Sequence, residues 1–314
     1  MNLQQFRYVQ EAVRRKLNLS EAAKALHTSQ PGVSKAILDL EVELGVDIFV
    51  RHGKRLRSIT EPGEEVVRVI DTILAEVGNL KRIGEHYAQQ DSGRLSIATT
   101  HTQARYVLPR PIMLLRQRFP QVRVELHQGT PEQVARMLLD ETAVIGIATE
   151  ALQANERLVS LPCHEWHHVV VVPRGHALAA LPRLSLEALA GHPLVTYHPS
   201  VAGRTRVDEA FARARLSPQI ALEALDSDVI KTYVRVGLGV GIVTELAMQD
   251  AQADADLLVL PAAHLFGPNV TRVAFRRGVY LREFELVFAG LLSDRLSAAL
   301  VRRAMQGGGD HHDL

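Results

Sequence analysis

Apolar residues recur at helical spacing from the start of the chain: Phe6, Val9, Val13 and Leu17 fall on one face and predict an amphipathic helix. Ser20 stands where an N-cap is expected, ahead of the helix-forming run EAAKALH. The turn HTSQ then leads into PGVSKAILDLEVELG, with Pro31 tolerable in a first turn and Gly45 as a C-terminal stop. Two short helices across a tight polar turn predict a helix-turn-helix. The next run, DIFVRHGKRLRSIT, turns at HGK between residues of strand propensity, as the hairpin of a wing would.

From Glu61 to about Gln90 the pattern predicts one long helix, opened by Thr60 as N-cap and Pro62 in the first turn. Val66, Ile70, Ile73, Val77, Leu80, Gly84 and Tyr87 alternate by four and three, which is an a/d seam for a partner helix. A helix packed on its own domain would show a similar stripe. Beyond Ser92 short strands alternate with helices, which argues for parallel α/β sheets. The candidate strands are RLSIAT, VRVELHQ, AVIGIAT, LVSLPC, HVVVVP, PLVTY, QIALEAL, GIVT, LLVLP and TRVAFRR. A last helix begins near Leu281, and the tail from residue 307, ending GGDHHDL, has the composition of a disordered segment.

Length sharpens this outline, because 314 residues exceed what one core usually organises and two or three domains are expected. No apolar run suits a spanning helix and MNLQQFRYVQEAVRRK lacks a signal-peptide core, so a soluble, cytoplasmic protein without a membrane partner is expected. Cys163 is the single cysteine, which excludes an internal disulfide framework. The net charge of +1 hides an asymmetry: residues 1–60 carry ten Lys/Arg against six Asp/Glu, leaving the rest of the chain slightly acidic. A basic head hints at nucleic-acid contact.

The stretch LNLSEAAKALHTSQPGVSKAILDLEVELGVDIFVRHGKRLRSITEPGEEV resembles the winged helix-turn-helix of LysR-type transcriptional regulators along its whole length. The resemblance implies an α/β chain in three parts. These are a winged helix-turn-helix over residues 1–59, a linker and dimerisation helix over 60–91, and a two-lobed effector domain like a periplasmic binding protein over 92–306. Lobe I would take residues 92–163 and 268–306, and lobe II 164–267. Such regulators bind double-stranded promoter DNA as dimers or tetramers. A recognition helix presents its N-terminal side chains to base edges, and Ser29, Gln30, Pro31, Ser34 and Lys35 occupy that stretch. Gln30 has the geometry to pair with adenine in bidentate fashion, whereas Arg51, Lys54, Arg55 and Arg57 on the wing suit phosphate.

Three motifs are decoys. HEWHH, His164 to His168, has zinc-protease spacing, but it joins two strand-like runs, where residues four apart lie roughly 13 Å from each other and cannot share a metal. GLGVG, Gly237 to Gly241, follows a helix and precedes a strand, the reverse of a dinucleotide fingerprint. Cys163 beside His164 lacks an oxyanion constellation and reads as a buried structural thiol. Neither metal nor cofactor is expected, and no catalytic residue.

The polar knot ATTHTQARYVLP, by contrast, lies just after a strand, where helix N-termini aim free N–H groups outward. Thr100, Thr102 and Gln103 add neutral donors there, and Thr149 follows another strand of the same lobe. The knot either grips a small anion or only caps a helix. TTHTQARYVLP, HQGTPEQ, IATEAL, LPCHEW, PLVTY, DVIKTYVRVGLGVG and FRR are similar to the cysteine-regulon activators within the LysR-type family. That similarity implies an effector cleft for sulfate, thiosulfate or acetylserine, with Thr100, Thr102, Gln103 and Thr149 at the matching positions. One position departs: Ala202 stands before Gly203 and Arg204 where those activators usually carry threonine, with Ser200 nearby. The expected function is therefore a regulator of sulfur assimilation, with DNA, the effector, its own copies and RNA polymerase as partners. A regulator of sulfonate or other anion metabolism is the second reading, and a solute-binding or enzymatic α/β protein the third.

Overall fold

The computed structural model describes residues 1–53, 55–88, 91–250, 252 and 254–307. It divides into two compact units, Met1–Tyr87 and Ala88–Leu314.

In the first unit α1 (Leu3–Arg14) is opened by a capping box between Asn2 and Gln5. The next helix, α2 (Leu19–Ala25), is capped by Asn18, whose side chain accepts from the Ser20 and Glu21 N–H groups, so Ser20 lies in the first turn and is not the cap. Starting the helix there puts Leu19 into the core. The third, α3 (Gln30–Leu44), starts under a Ser29 cap and stops at Gly45, whose φ of 71° is left-handed. Strands β1 (Phe49–His52) and β2 (Arg55–Ile59) pair antiparallel. Phe6, Val9, Val33, Ile37, Leu40 and Ile48 fill the core between these elements.

The long helix α4 (Glu61–Ala88) is tied to this core at its start. Thr60 Oγ1 accepts from the Gly63 N–H at 2.9 Å and donates to the Asp47 carbonyl. A Cβ at Gly63 would lie 2.1 Å from the Ile48 carbonyl oxygen, so only glycine lets the helix approach the hairpin. The expected seam splits. Ile70 is buried in the first unit's core and Val66 and Ile73 pack against it, whereas Leu80 and Tyr87 stand exposed. Its first half is thus an internal face.

The second unit contains β3 (Ser92–Thr99), α5 (Pro109–Arg118), β4 (Gln121–Gln128), α6 (Pro131–Leu139), β5 (Ile145–Ala148) and β6 (Leu158–Pro173). It continues through α7 (Leu186–Ala190), β7 (Leu194–Tyr197), α8 (Arg204–Arg213), β8 (Ile220–Ala224), α9 (Ser227–Arg235) and β9 (Val240–Thr244). The chain closes with β10 (Leu257–Pro261), α10 (Ala263–Phe266), β11 (Pro268–Arg276), α11 (Glu283–Leu292) and α12 (Ala298–Met305). The expected single last helix is two, because Ser297 caps a new start at α12.

The strands run in the order β4-β3-β5-β11-β6-β9-β7-β8, with β10 also on β6. Pairing is parallel among β4, β3 and β5 and among β8, β7 and β9, as the alternation predicts. It is antiparallel wherever β6 or β11 takes part, so the sheet is mixed. The reason lies in β6. LVSLPC and HVVVVP, expected as two strands, are one strand of 16 residues that leaves the first lobe and enters the second, and β11 returns beside it. Pro162 pairs with Arg272 and His164 with Thr271, which leaves Cys163 as the extra residue of a bulge. Separate apolar clusters flank the two halves of the sheet, one around Leu95, Ile97, Val273 and Phe284, the other around Val170, Leu194, Phe211 and Ile242. Among the described residues no helix is long and apolar enough to cross a membrane.

Candidate functional site

Two surfaces gather the polar residues singled out in the sequence, one in each unit. In the first, Ser29 accepts from the Gly32 N–H at 3.3 Å and thereby fixes where α3 begins. Gln30 and Pro31 form its first turn; Gln30 and Ser34, four apart, share a face, and Lys35 is exposed beside them. Arg55 and Arg57 alternate along β2 and both are exposed. Lys54 lies outside the described residues. Arg51 is placed differently from the expectation: its guanidinium sits 3.0 Å from Glu41, which is 4% exposed and also accepts from the Ile48 and Phe49 N–H groups. Its main partner is inside the protein.

In the second unit the cleft forms where β3, β4 and β5 end. Thr99 donates to the Ile147 carbonyl at 3.0 Å, which fixes the end of β3 and projects Thr100 forward. Thr100 is only 8% exposed, lines a cavity of about 310 Å³, and has no hydrogen-bond partner among the described residues. Thr102 lines the same cavity, and a π-helical turn, Gln103–Val107, follows. Ser200 and Ala202 face Thr100 and Thr102 from the second lobe. Thr149, 1% exposed with its hydroxyl unpartnered, opens on an adjoining cavity of about 450 Å³ that shares Ser200 and Ala202. Gln103 lies beside this wall, donating to Thr271 Oγ1 at 3.0 Å and leaving Oε1 buried without a partner.

The knot therefore does more than cap, since the helix after it has no side-chain cap at all. Two features of the cavity were not singled out in the sequence. Gln128, Gly129 and Thr130 line it at the N-terminus of α6, where Thr130 and Gln133 form a capping box. HQGTPEQ repeats the strand-knot-helix order of ATTHTQARYVLP, which was the available signal. His101 and Asp226 also line it, and Asp226 caps α9 by accepting from the Val229 N–H at 2.9 Å.

Some polar groups near the cleft are committed elsewhere. Arg204 is buried against the Tyr197 carbonyl, Glu223 and Asp208, so its charge holds the second lobe together. Ser200 shares a hydrogen bond of 2.9 Å with His198 Nδ1. Across the cleft, Asp228 of α9 binds Arg105 Nε at 2.8 Å and the Tyr106 hydroxyl at 3.1 Å. Burial and that carboxylate push the Tyr106 phenol up. HEWHH lies within β6, in extended backbone, where burial lowers His164 and takes His168 down to about 3. Burial pushes the Cys163 thiol up to about 12, which keeps it protonated. Gly237 to Gly241 turn the chain from α9 into β9, and the φ of 80° at Gly237 accounts for the first of them.

Residues 3–64 match the bacterial regulatory helix-turn-helix protein, lysR family, and residues 88–297 match the LysR substrate binding domain. The chain belongs to the LysR family and is a DNA-binding transcriptional regulator, not an enzyme. It is 52% identical to the HTH-type transcriptional regulator CysB of Burkholderia cenocepacia, covering 100% of both chains. It is 48% identical to the regulator SsuR of the same organism, over 97% of this chain and 100% of that one. The crystal structure of the cofactor-binding domain of the Cbl transcriptional regulator superposes with a TM-score of 0.66 at 45% identity, covering 68% of this chain and 94% of that one.

Proposed function

We propose that this regulator controls sulfur-assimilation and cysteine-biosynthesis genes through a small effector, acetylserine, sulfate or thiosulfate, held between the lobes. The observation that carries this reading is the buried, unpartnered Thr100 hydroxyl in a cavity whose lining includes the N-terminus of α6 but neither lysine nor arginine among the described residues. Neutral donors and a helix N-terminus suit a small oxyanion. Thr102, Gln103 and Thr149 extend the donor set; Gln30, Ser34 and Lys35 read bases, and Arg55 and Arg57 meet phosphate. Residues 1–59, 60–91 and 92–306 then divide the labour of binding DNA, joining copies and sensing, in the cytoplasm. A regulator of sulfonate metabolism is the second reading, favoured by the donor missing at Ala202 and by the likeness to SsuR.

Calorimetry tests the site. Thr100→Val removes one donor to a charged acceptor and is expected to weaken sulfate, thiosulfate or acetylserine binding at least about tenfold at nearly unchanged melting temperature, whereas Ala202→Thr gains about 0.5–1.5 kcal/mol. A parent protein that binds none of the three ends the sulfur reading.

A further inference from the structure

The cavity walls differ in charge. On the first lobe stand the unpartnered Thr100, Thr102 and the N-terminus of α6, all suited to negative charge. On the second lobe the one charged lining group is the Asp226 carboxylate. It makes no ion pair among the described residues: the nearby Arg105 is held by Asp228 at 2.8 Å, and Lys231 by Asp254 at 2.9 Å. One Asp226 oxygen accepts from Val229. The imidazole of His101, whose Nε2 is buried without a partner, lies within 4.8 Å of the Asp226 and Asp228 carboxylates. A bare dianion at Thr100 would face Asp226 across the same small volume. It would also leave most of that volume empty, since about 310 Å³ corresponds to roughly ten water molecules at their share of liquid volume. A molecule carrying both charges meets both walls.

Resting on the effector reading above, the geometry points to a zwitterion of amino-acid size as the ligand, its anionic head on Thr100 and Thr102 and its ammonium on Asp226. Asp226 is then the residue that selects against plain oxyanions, and the acceptor-rich corner with His101 is the ammonium's seat. This separates two molecules that share a formula. O-acetyl-L-serine carries an ammonium; N-acetyl-L-serine has the same atoms, a carboxylate and no ammonium. The pair 2-aminoethanesulfonate and 2-hydroxyethanesulfonate makes the same contrast on a sulfonate.

The experiment is calorimetry on the full chain at pH 6, where the amine of the O-acetyl ester stays protonated and acyl migration is suppressed. The parent protein should bind the ammonium-bearing member of at least one pair tenfold or more tighter than its partner. Asp226→Asn keeps an N-cap of equal quality for α9 and removes the charge, so it should abolish that preference at an unchanged melting temperature. Equal binding within each pair, or a preference that survives Asp226→Asn, overturns the inference while leaving the effector site standing. Zinc that binds the parent tightly and is lost in Asp226→Asn overturns it in favour of a metal at His101, Asp226 and Asp228. If none of the four compounds, sulfate or thiosulfate binds, both the effector reading and this one fall.

Discussion

Arg51 and Arg57 show how two arginines of one hairpin part company. Arg51 reaches a nearly buried Glu41 that also receives two backbone N–H groups, so removing the guanidinium strands a desolvated carboxylate. Arg51→Ala is expected to destabilise the first unit by about 2–4 kcal/mol. Arg57→Ala, at an exposed position of β2, should leave stability within about 0.5 kcal/mol. It should also lower the affinity for specific and random DNA alike, reducing the salt slope by about one unit. Thermal melts alongside salt-dependent DNA titrations separate the two. A melting temperature unchanged in Arg51→Ala would return it to the phosphate-binding set. Sequence alone ranked these arginines together, because the Glu41 contact links α3 to β1 and no local spacing announces it.

At the scale of elements, α4 carries two different faces in succession. Ile73 packs on the first unit's core, whereas Leu80, 69% exposed, lies on the part of the stripe that the core does not cover. Leu80→Asp is therefore expected to lower the mass measured by light scattering while the first unit melts normally. Ile73→Asp should instead destabilise that unit. Identical behaviour of the two variants would show one continuous seam. Heptad spacing was legible in the sequence, but spacing cannot say which partner a stripe meets. The strands tell a similar story. All ten candidate segments are strand, yet Pro162 reads as a terminator because it lacks a ladder donor, and the bulge at Cys163 carries the ladder past it. The threonine knot was readable because it is local to one strand end. Asp226 was not, since only the closing of the second lobe onto the first brings it to Thr100.

For the whole second unit, the buried His168 makes stability depend on pH. Burial lowers its pKa from 6.5 to about 3, so the folded protein keeps it neutral where the unfolded chain takes a proton. Its contribution is complete above pH 6.5 and is lost as pH falls towards 3, at up to about 1.4 kcal/mol per pH unit. Denaturant melts between pH 7 and pH 5 should show this slope, and His168→Gln should flatten it. An unaltered slope in the variant would assign the effect to other groups.

His168 belongs to β6, and the route of that strand decides how the two lobes can answer a ligand. Where lobes are joined by loops, rearrangement is a swing about slack joints. Here β6 and β11 are paired from Leu158 and Arg276 to His167 and Pro268, a ribbon passing straight from one lobe to the other. Such a ribbon resists sliding, because every ladder bond would have to shift register, but it bends and twists. It acts as a torsion spring: an effector that draws the lobes together winds it, and departure of the effector releases the stored strain without any segment having to refold.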